Sequence, residues 1–480
     1  MTTSEQTGVD LAGGRSATHH LHQVLVGTQE QFADTFGDLE LGATSAEFKG
    51  RYPEALPRFE AARVASPQRA EIASALIDAT RSAIVWHDDG EQGLGEHITG
   101  SAEPFALESS PATTAGRLVP RVPFGGRDLS DDELVAEVRA LVDRGSATPD
   151  VATAIEWIVA ASNGDGFDLT GRRIAVLGAA AELAPTKMWL EGGADVLWID
   201  LDDPPADLLA DEHPGSLSWV AGGADLLNDP ARIRATIEQF AGDDAVDLGL
   251  YGYAGGRARE WRLAAAMNAI VDALPTGTVR GTAMLVSPTT CGVLTAAELE
   301  GEARRLRERP RWQSVLARMR AFGSGSGHAT HGDAHTNRAI VSIQGSSYQA
   351  AQYLGKLIAA EAWVSGDSPI EVSANTAGIS LTESLHHPVF DTAFSGAAAL
   401  GIETFDPETT AHLNGLLTLH DRLTANQRTG GRAEALDQLS ATRVHGGIYE
   451  APYPIDPALR VAAGLGVAKD PRRIVGLLKR

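Results

Sequence analysis

From Phe167 onward, short uninterrupted apolar runs alternate with longer stretches whose apolar residues recur at helical spacing. The runs Arg173 to Leu177, Asp195 to Ile199, Leu217 to Val220, Leu248 to Tyr251, Thr282 to Val286, Ala339 to Ile343 and Ile370 to Ala374 predict strands. Between them, segments around Pro185 to Glu191, Asp229 to Phe240, Arg259 to Leu274 and Tyr348 to Trp363 predict helices. Asp229-Pro230 is a strong start signal, a capping residue followed by a proline whose missing N–H costs the first turn nothing. Strands that are apolar throughout and separated by helices imply an α/β fold, a doubly wound parallel sheet covered on both faces.

The flanks read differently. Residues 1–20 are small and polar and predict a mobile tail; 21–116 form an N-terminal region with one recognisable helix, after Ser66-Pro67. Residues 117–166 carry a helical pair, the first member opening at Ser130-Asp131-Asp132-Glu133 and the second at Pro149. The sheet domain spans 167–425 and a C-terminal extension fills 426–480. An insertion at 292–338 interrupts the rhythm: a charged helical stretch, Leu299 to Met319, breaks at Pro310 and leads into a Gly/Ser-rich, His-bearing loop. An insertion of this length predicts a functional lid.

One unit carries more chemistry than the rest. Arg173 to Leu177, a turn opening at Gly178, a helix, and Asp195 to Asp200 follow the layout of a dinucleotide-binding βαβ unit. In such a unit a pyrophosphate meets backbone N–H groups at the turn, and small residues let the backbone approach it. Gly178, Ala179 and Ala181 stand there, and Asp200, at the tip of the second strand, is placed to accept from an adenosine ribose. The later glycine positions of the usual pattern are filled by Ala181 and Ala184. An ordinary crossover that binds nothing at this edge is the alternative.

Composition narrows the partners. A net charge of −23 over 480 residues opposes nucleic acid and anionic membranes, whose recognition needs clustered Lys and Arg. No apolar run approaches the roughly 20 residues that cross a bilayer. The one cysteine, Cys291, excludes an internal disulfide and any multi-cysteine metal site. The N-terminus has neither a basic stretch nor an apolar run, so a cytoplasmic protein is expected.

The order Gly178, Gly223 to Pro230, Tyr253-Ala254-Gly255-Gly256, Ser287, Tyr348 and Asn375-Thr376-Ala377-Gly378 resembles the short-chain dehydrogenase/reductase group over roughly residues 167–400. The resemblance implies a Rossmann-like fold, NAD or NADP as cofactor and hydride exchange with a small-molecule substrate. It implies Asp225 as the adenine contact, Ala254 and Gly255 as the turn after the fourth strand, Ser287 or Ser342 as the polarising hydroxyl, and Tyr348 as the acid/base. The family's lysine, four residues after the tyrosine, is Gln352 here; Tyr353 and Lys356, three apart on one helix face, offer a displaced version.

Other clusters invite chemistry. His328, His331 and His335 with Asp333 suit a divalent ion, a lid histidine acting as acid/base (His331 above all), or a solvated loop. His386-His387 suits a substrate loop, Arg257, Arg259 and Arg262 an anion clamp, Cys291 a nucleophile or an inert buried thiol, and Thr289 and Thr290 hydrogen-bond donors. The aromatic segment His445 to Tyr453 suits docking on a neighbouring subunit, in keeping with an expected homo-oligomer. Taken together, these residues predict an NAD(P)-dependent oxidoreductase. A lyase, isomerase or transferase on the same fold, or a non-catalytic assembly protein, remains open, and no bound metal is expected.

Overall fold

The chain folds around a sheet whose strands, among the described residues, are β1 (Leu107–Ser110), β2 (Arg173–Leu177), β3 (Asp195–Ile199), β4 (Ser216–Val220), β5 (Val246–Leu250), β6 (Val279–Val286) and β7 (Glu371–Thr376). This computed structural model describes residues 7–210, 212–366, 370–383, 388–425, 436, 439 and 441–470, the side chains of 388–391 excepted. Strand order is β7-β6-β5-β2-β3-β4-β1, with β2 to β7 parallel and β1 antiparallel at the edge. The protein is thus α/β with a mostly parallel sheet. From β2 the chain runs outward through β3 and β4, then returns to the other side of β2 for β5. The C-terminal ends of β2 and β5 consequently lie side by side, Leu177 opposite Leu250.

Strand residues alternate between two apolar cores, one on each face. On the first face, Leu177 and Ile199 pack in one cluster with residues of α1 (Ala17–Gln31), α2 (Ser45–Ala65) and α3 (Arg69–Ala83), including Leu21, Phe48 and Leu76. On the second, Val176 and Trp198 meet α4 (Asp131–Asp143), α5 (Pro149–Ser162) and the short α6 (Thr186–Glu191). Returning to the first face, α7 (Pro230–Ala241) and α8 (Arg259–Ala273) add Ile233, Ile237, Trp261 and Ile270.

The 292–338 insertion contains α9 (Ala296–Arg307) and α10 (Arg311–Arg318), separated at Pro310 as the sequence predicts. A reciprocal capping box starts α9: the Thr295 side chain accepts from the Glu298 amide and the Glu298 carboxylate from the Thr295 amide. Then α11 (Gly345–Gln352) passes through a π-helical turn, Tyr353–Ile358, into α12 (Ala359–Ser365). Beyond β7 come α13 (Pro388–Ala397), α14 (Pro407–Thr424) and α15 (Ile455–Lys469). Among them α13 and α15 cross closely: a Cβ on Gly396 would overlap the Ala462 carbonyl, and one on Gly466 the Thr392 carbonyl.

Four expectations need correction. Within the supposed mobile tail, Gly8–Leu11 is a strand paired antiparallel with Ile84–His87. Ala339 to Ile343 is no strand, because β7 already occupies the place beside β6; Ala339 to Val341 form a buried connection, and Ser342 and Ile343 are exposed in the 3-10 turn that follows. The supposed His-bearing loop is a β-hairpin, His328–His331 with Ala334–Asn337, bound to α2 by a hydrogen bond of 2.6 Å from Thr336 Oγ1 to the Pro57 carbonyl. The supposed subunit dock is core of this chain, with His445, Tyr449 and Tyr453 all buried.

Candidate active site

A cavity of about 630 Å³ opens beyond the C-terminal ends of β2, β5, β6 and β7, where the strand order reverses. Its floor is made of the segments leaving those strands: Ala180 to Leu183, Tyr251 to Gly255, Leu285 to Thr289 and Ala377 to Ser380. In open α/β sheets this edge is where ligands bind, because the loops there are free to diverge while the strands hold them in register. One wall is α11, through Tyr348 and Gln352, and the π-helical turn, through Lys356. The roof comes from α13, α15 and the strand-free segments around Leu400 and Ile448.

Polar groups gather at the α11 wall. Thr289 Oγ1 donates to Gln344 Oε1 at 2.8 Å, which leaves the Ser287 hydroxyl to donate to Thr289 Oγ1 at 2.9 Å. The Thr289 amide donates back to Ser287 Oγ at 3.2 Å, and the Ser287 amide donates to Gln352 Oε1 at 2.9 Å. The half-buried Tyr348 places its phenol against this relay. Burial pushes the phenol pKa up, and hydrogen bonding with Ser287, Thr289 and Gln344 only partly offsets it. The phenol therefore stays protonated at neutral pH, the state of a proton donor. Tyr253 stands across the mouth, its ring edge-on to Tyr348 at 6.2 Å.

Lys356 reaches the same space by way of the π-helical turn. Its Nζ donates to the Leu285 carbonyl at 2.6 Å, and burial lowers its pKa to about 8. Such a turn inserts one residue into the helical register and re-aims side chains, a device frequent at functional sites. Tyr353, the other half of the displaced pair, points elsewhere: its hydroxyl donates to Glu60 Oε2 at 2.7 Å, deep in the first core. There Arg63, fully buried, bonds Glu60 and Glu361, so α2 is tied to the first residue of the turn, Tyr353, and to α12 beyond it.

The nucleotide end is arranged differently from the expectation. Gly178 has φ +83° and sits where a Cβ would overlap the Gly252 amide, so its conformation serves the close approach of β2 and β5. The Gly178 and Ala179 amides donate to the Ile199 carbonyl, the Ala181 amide to the Gly178 carbonyl, and the Ala180 amide to Asp200 Oδ2 at 2.8 Å. All four N–H groups of the turn are engaged inside the protein, one of them by a carboxylate that repels phosphate. The helix that follows, α6, begins only at Thr186. Asp225 is likewise engaged locally, accepting from the Leu227 amide at 2.8 Å and the Asn228 side chain at 2.6 Å. Ser287, Tyr348 and Lys356 bring two hydroxyls and an amine to the cavity, while the turn at Gly178, its amides engaged, offers no ready pyrophosphate cradle.

Thus the structure brings Tyr348, Ser287, Lys356, Ala181, Ala254 and Gly255 to one cavity and leaves Gly178, Ala179, Asp200 and Asp225 outside its lining. His331 is exposed on its hairpin and also outside, which removes it as acid/base for this cavity. His328 Nδ1 pairs with Glu302 Oε2 at 2.5 Å, and no cluster of metal-binding residues occurs among the described residues. Ser342 is exposed and outside the lining, leaving Ser287 of the two serines. Arg259 bonds the Gly255 carbonyl and Arg262 the Val9 carbonyl; neither lines the cavity. Cys291 is buried with its thiol pKa pushed well up, an inert thiol. His386 and His387 lie outside the described residues. Gln344 was illegible because it follows a segment that reads as strand, and the roof because it comes from apolar helices distant in sequence. No helix among the described residues is long and apolar enough to cross a membrane. Neither a scan against family models nor a search of curated proteins found a match to this chain.

Proposed function

We propose that the protein is an NAD(P)-dependent oxidoreductase acting on a small molecule, a divergent relative of the short-chain dehydrogenase/reductase group on a Rossmann-like, doubly wound sheet. One observation carries the reading: Ser287, at the end of β6, meets Tyr348 of α11 and Lys356 of the π-helical turn in one cavity at the reversal of strand order. When bound, the nicotinamide would supply or accept hydride at the carbon bearing the substrate oxygen. The chain's own part is proton handling. Tyr348, held protonated, donates to the substrate oxygen, while Ser287, fixed through its amide by Gln352, turns its hydroxyl from Thr289 to that oxygen when substrate binds. Lys356 contributes a cation that is shed above pH of about 8.

A second reading, a lyase, isomerase or transferase using the same proton relay without hydride, is favoured by the engaged turn amides and by Gln352 at the family's lysine position. Thermal melting of the full chain with NAD⁺, NADH, NADP⁺ and NADPH separates the two. The oxidoreductase reading expects NAD(H) at 100 times its Kd to stabilise the fold by about 2.7 kcal/mol. No shift with any of the four nucleotides sinks the hydride reading and leaves the proton-transfer enzyme.

A further inference from the structure

We infer that the cavity takes a neutral, elongated, hydrophobic ketone, aldehyde or alcohol, with its oxygen at Tyr348 and its hydrocarbon body under the α13–α15 roof. This rests on the cavity being the substrate site and goes on to name what it accepts. The argument is the polarity of the two ends. Hydroxyl and amide groups are concentrated where Ser287, Thr289, Gln344, Gln352 and Tyr348 meet. The opposite wall is hydrocarbon: Ile379, Phe394, Leu400, Ile402, Ile448 and Leu459 line it and belong to, or pack on, one apolar cluster.

Charge settles what the hydrocarbon end refuses. Among the described lining residues only Glu182 and Lys356 are ionisable as acid or strong base, and no arginine is present. The Lys356 ammonium is already tied to the Leu285 carbonyl at the polar end. A carboxylate or phosphate carried under the roof would lose its water and find no cation among the described lining residues. The roof is closely built, the α13 and α15 backbones touching at Gly396 and Gly466. Depth is therefore set by the small side chains that face inward from these helices, Ala397 and Ala462 among them, and by Leu459.

The test is calorimetric titration of the full chain, without nucleotide, using 2-hexanone, 2-octanone, 2-decanone, 2-dodecanone and 9-oxodecanoate, a methyl ketone with a carboxylate at its far end. Expected is a tightening of about fourfold per added methylene up to 2-decanone, with 9-oxodecanoate at least tenfold weaker than 2-decanone. Ala397→Phe should abolish the gain between 2-octanone and 2-decanone, and Leu459→Ala, which enlarges the space, should extend it to 2-dodecanone; melting curves verify that each variant is folded. Equal binding of 9-oxodecanoate and 2-decanone, affinity independent of length, or an unchanged length profile in Leu459→Ala overturns the inference. As no nucleotide is present, the outcome is independent of whether the chain responds to NAD(P).

Discussion

Tyr348 and Lys356 share a cavity but are tuned in opposite directions by the same cause. Burial disfavours the charged form of each, keeping the phenol protonated and lowering the ammonium's pKa to about 8. Tyr348→Phe, which removes only the proton donor, should lower turnover by roughly 10²- to 10⁴-fold with the melting temperature unchanged; unaltered turnover would assign the proton to another group. For Lys356 the unfolded chain binds more protons than the native one between pH of about 8 and 10.5, so this residue's contribution to stability rises with pH through that window. Lys356→Met should accordingly melt higher than the parent at pH 7, with the gap closing by pH 10.5. His445 behaves in the opposite part of the scale. Burial holds its pKa at about 4 against 6.5, so the native state loses stability as pH falls from 6.5 towards 4, by about 3 kcal/mol in all. A chemical-denaturation series over that range should be flatter for His445→Gln; an equal slope would remove His445 as the cause.

At the scale of elements, the decisive join lies between α2 and the helix that carries the site. Arg63 is wholly buried between Glu60 and Glu361, and burial of so many charges is tolerated only because each has a partner. Glu361 reflects this: the Arg63 and Arg69 guanidinium groups overcome its burial and hold its carboxyl at about 2. Arg63→Ala would leave Glu60 without a cation in the core and Glu361 with Arg69 alone, and should cost about 3–5 kcal/mol in denaturant titration; a loss below 1 kcal/mol would mean the pair is solvated. Much of the element plan was legible beforehand. The strands β2, β3 and β6 and the helices α7 and α8 follow from apolar periodicity and from the Asp229-Pro230 start signal, which act within a few residues, whereas the charged stretch read from Leu299 begins earlier, at Ala296 after the Thr295 cap. Ala339 to Ile343 was not legible, because a buried crossing and a buried strand present the same apolar run.

Over the whole molecule, the N-terminal helices are not an appendage: Leu21, Phe48 and Leu76 share one core with Leu177, Ile199 and Trp261 of the sheet and its cover. A chain beginning at residue 117 would expose that face and lose the edge strand β1, and should show no cooperative melting transition; a sharp transition in calorimetry would make residues 1–116 a separate unit. The same long-range packing separates what the sequence determined from what it did not. By itself it determined the alternating strands and helices, the glycine at the β2 turn, and Ser287, Tyr348 and Lys356 as the reactive side chains to examine, because periodicity, turn chemistry and functional-group identity are local properties. Only the tertiary structure decided that those three residues line one cavity while His331, Asp200 and Asp225 do not. It also decided that Tyr353 turns to Glu60, and that an apolar roof from α13 and α15 closes the site. Those outcomes depend on strand order and on contacts between segments hundreds of residues apart, for which no local pattern in the chain carries a signal.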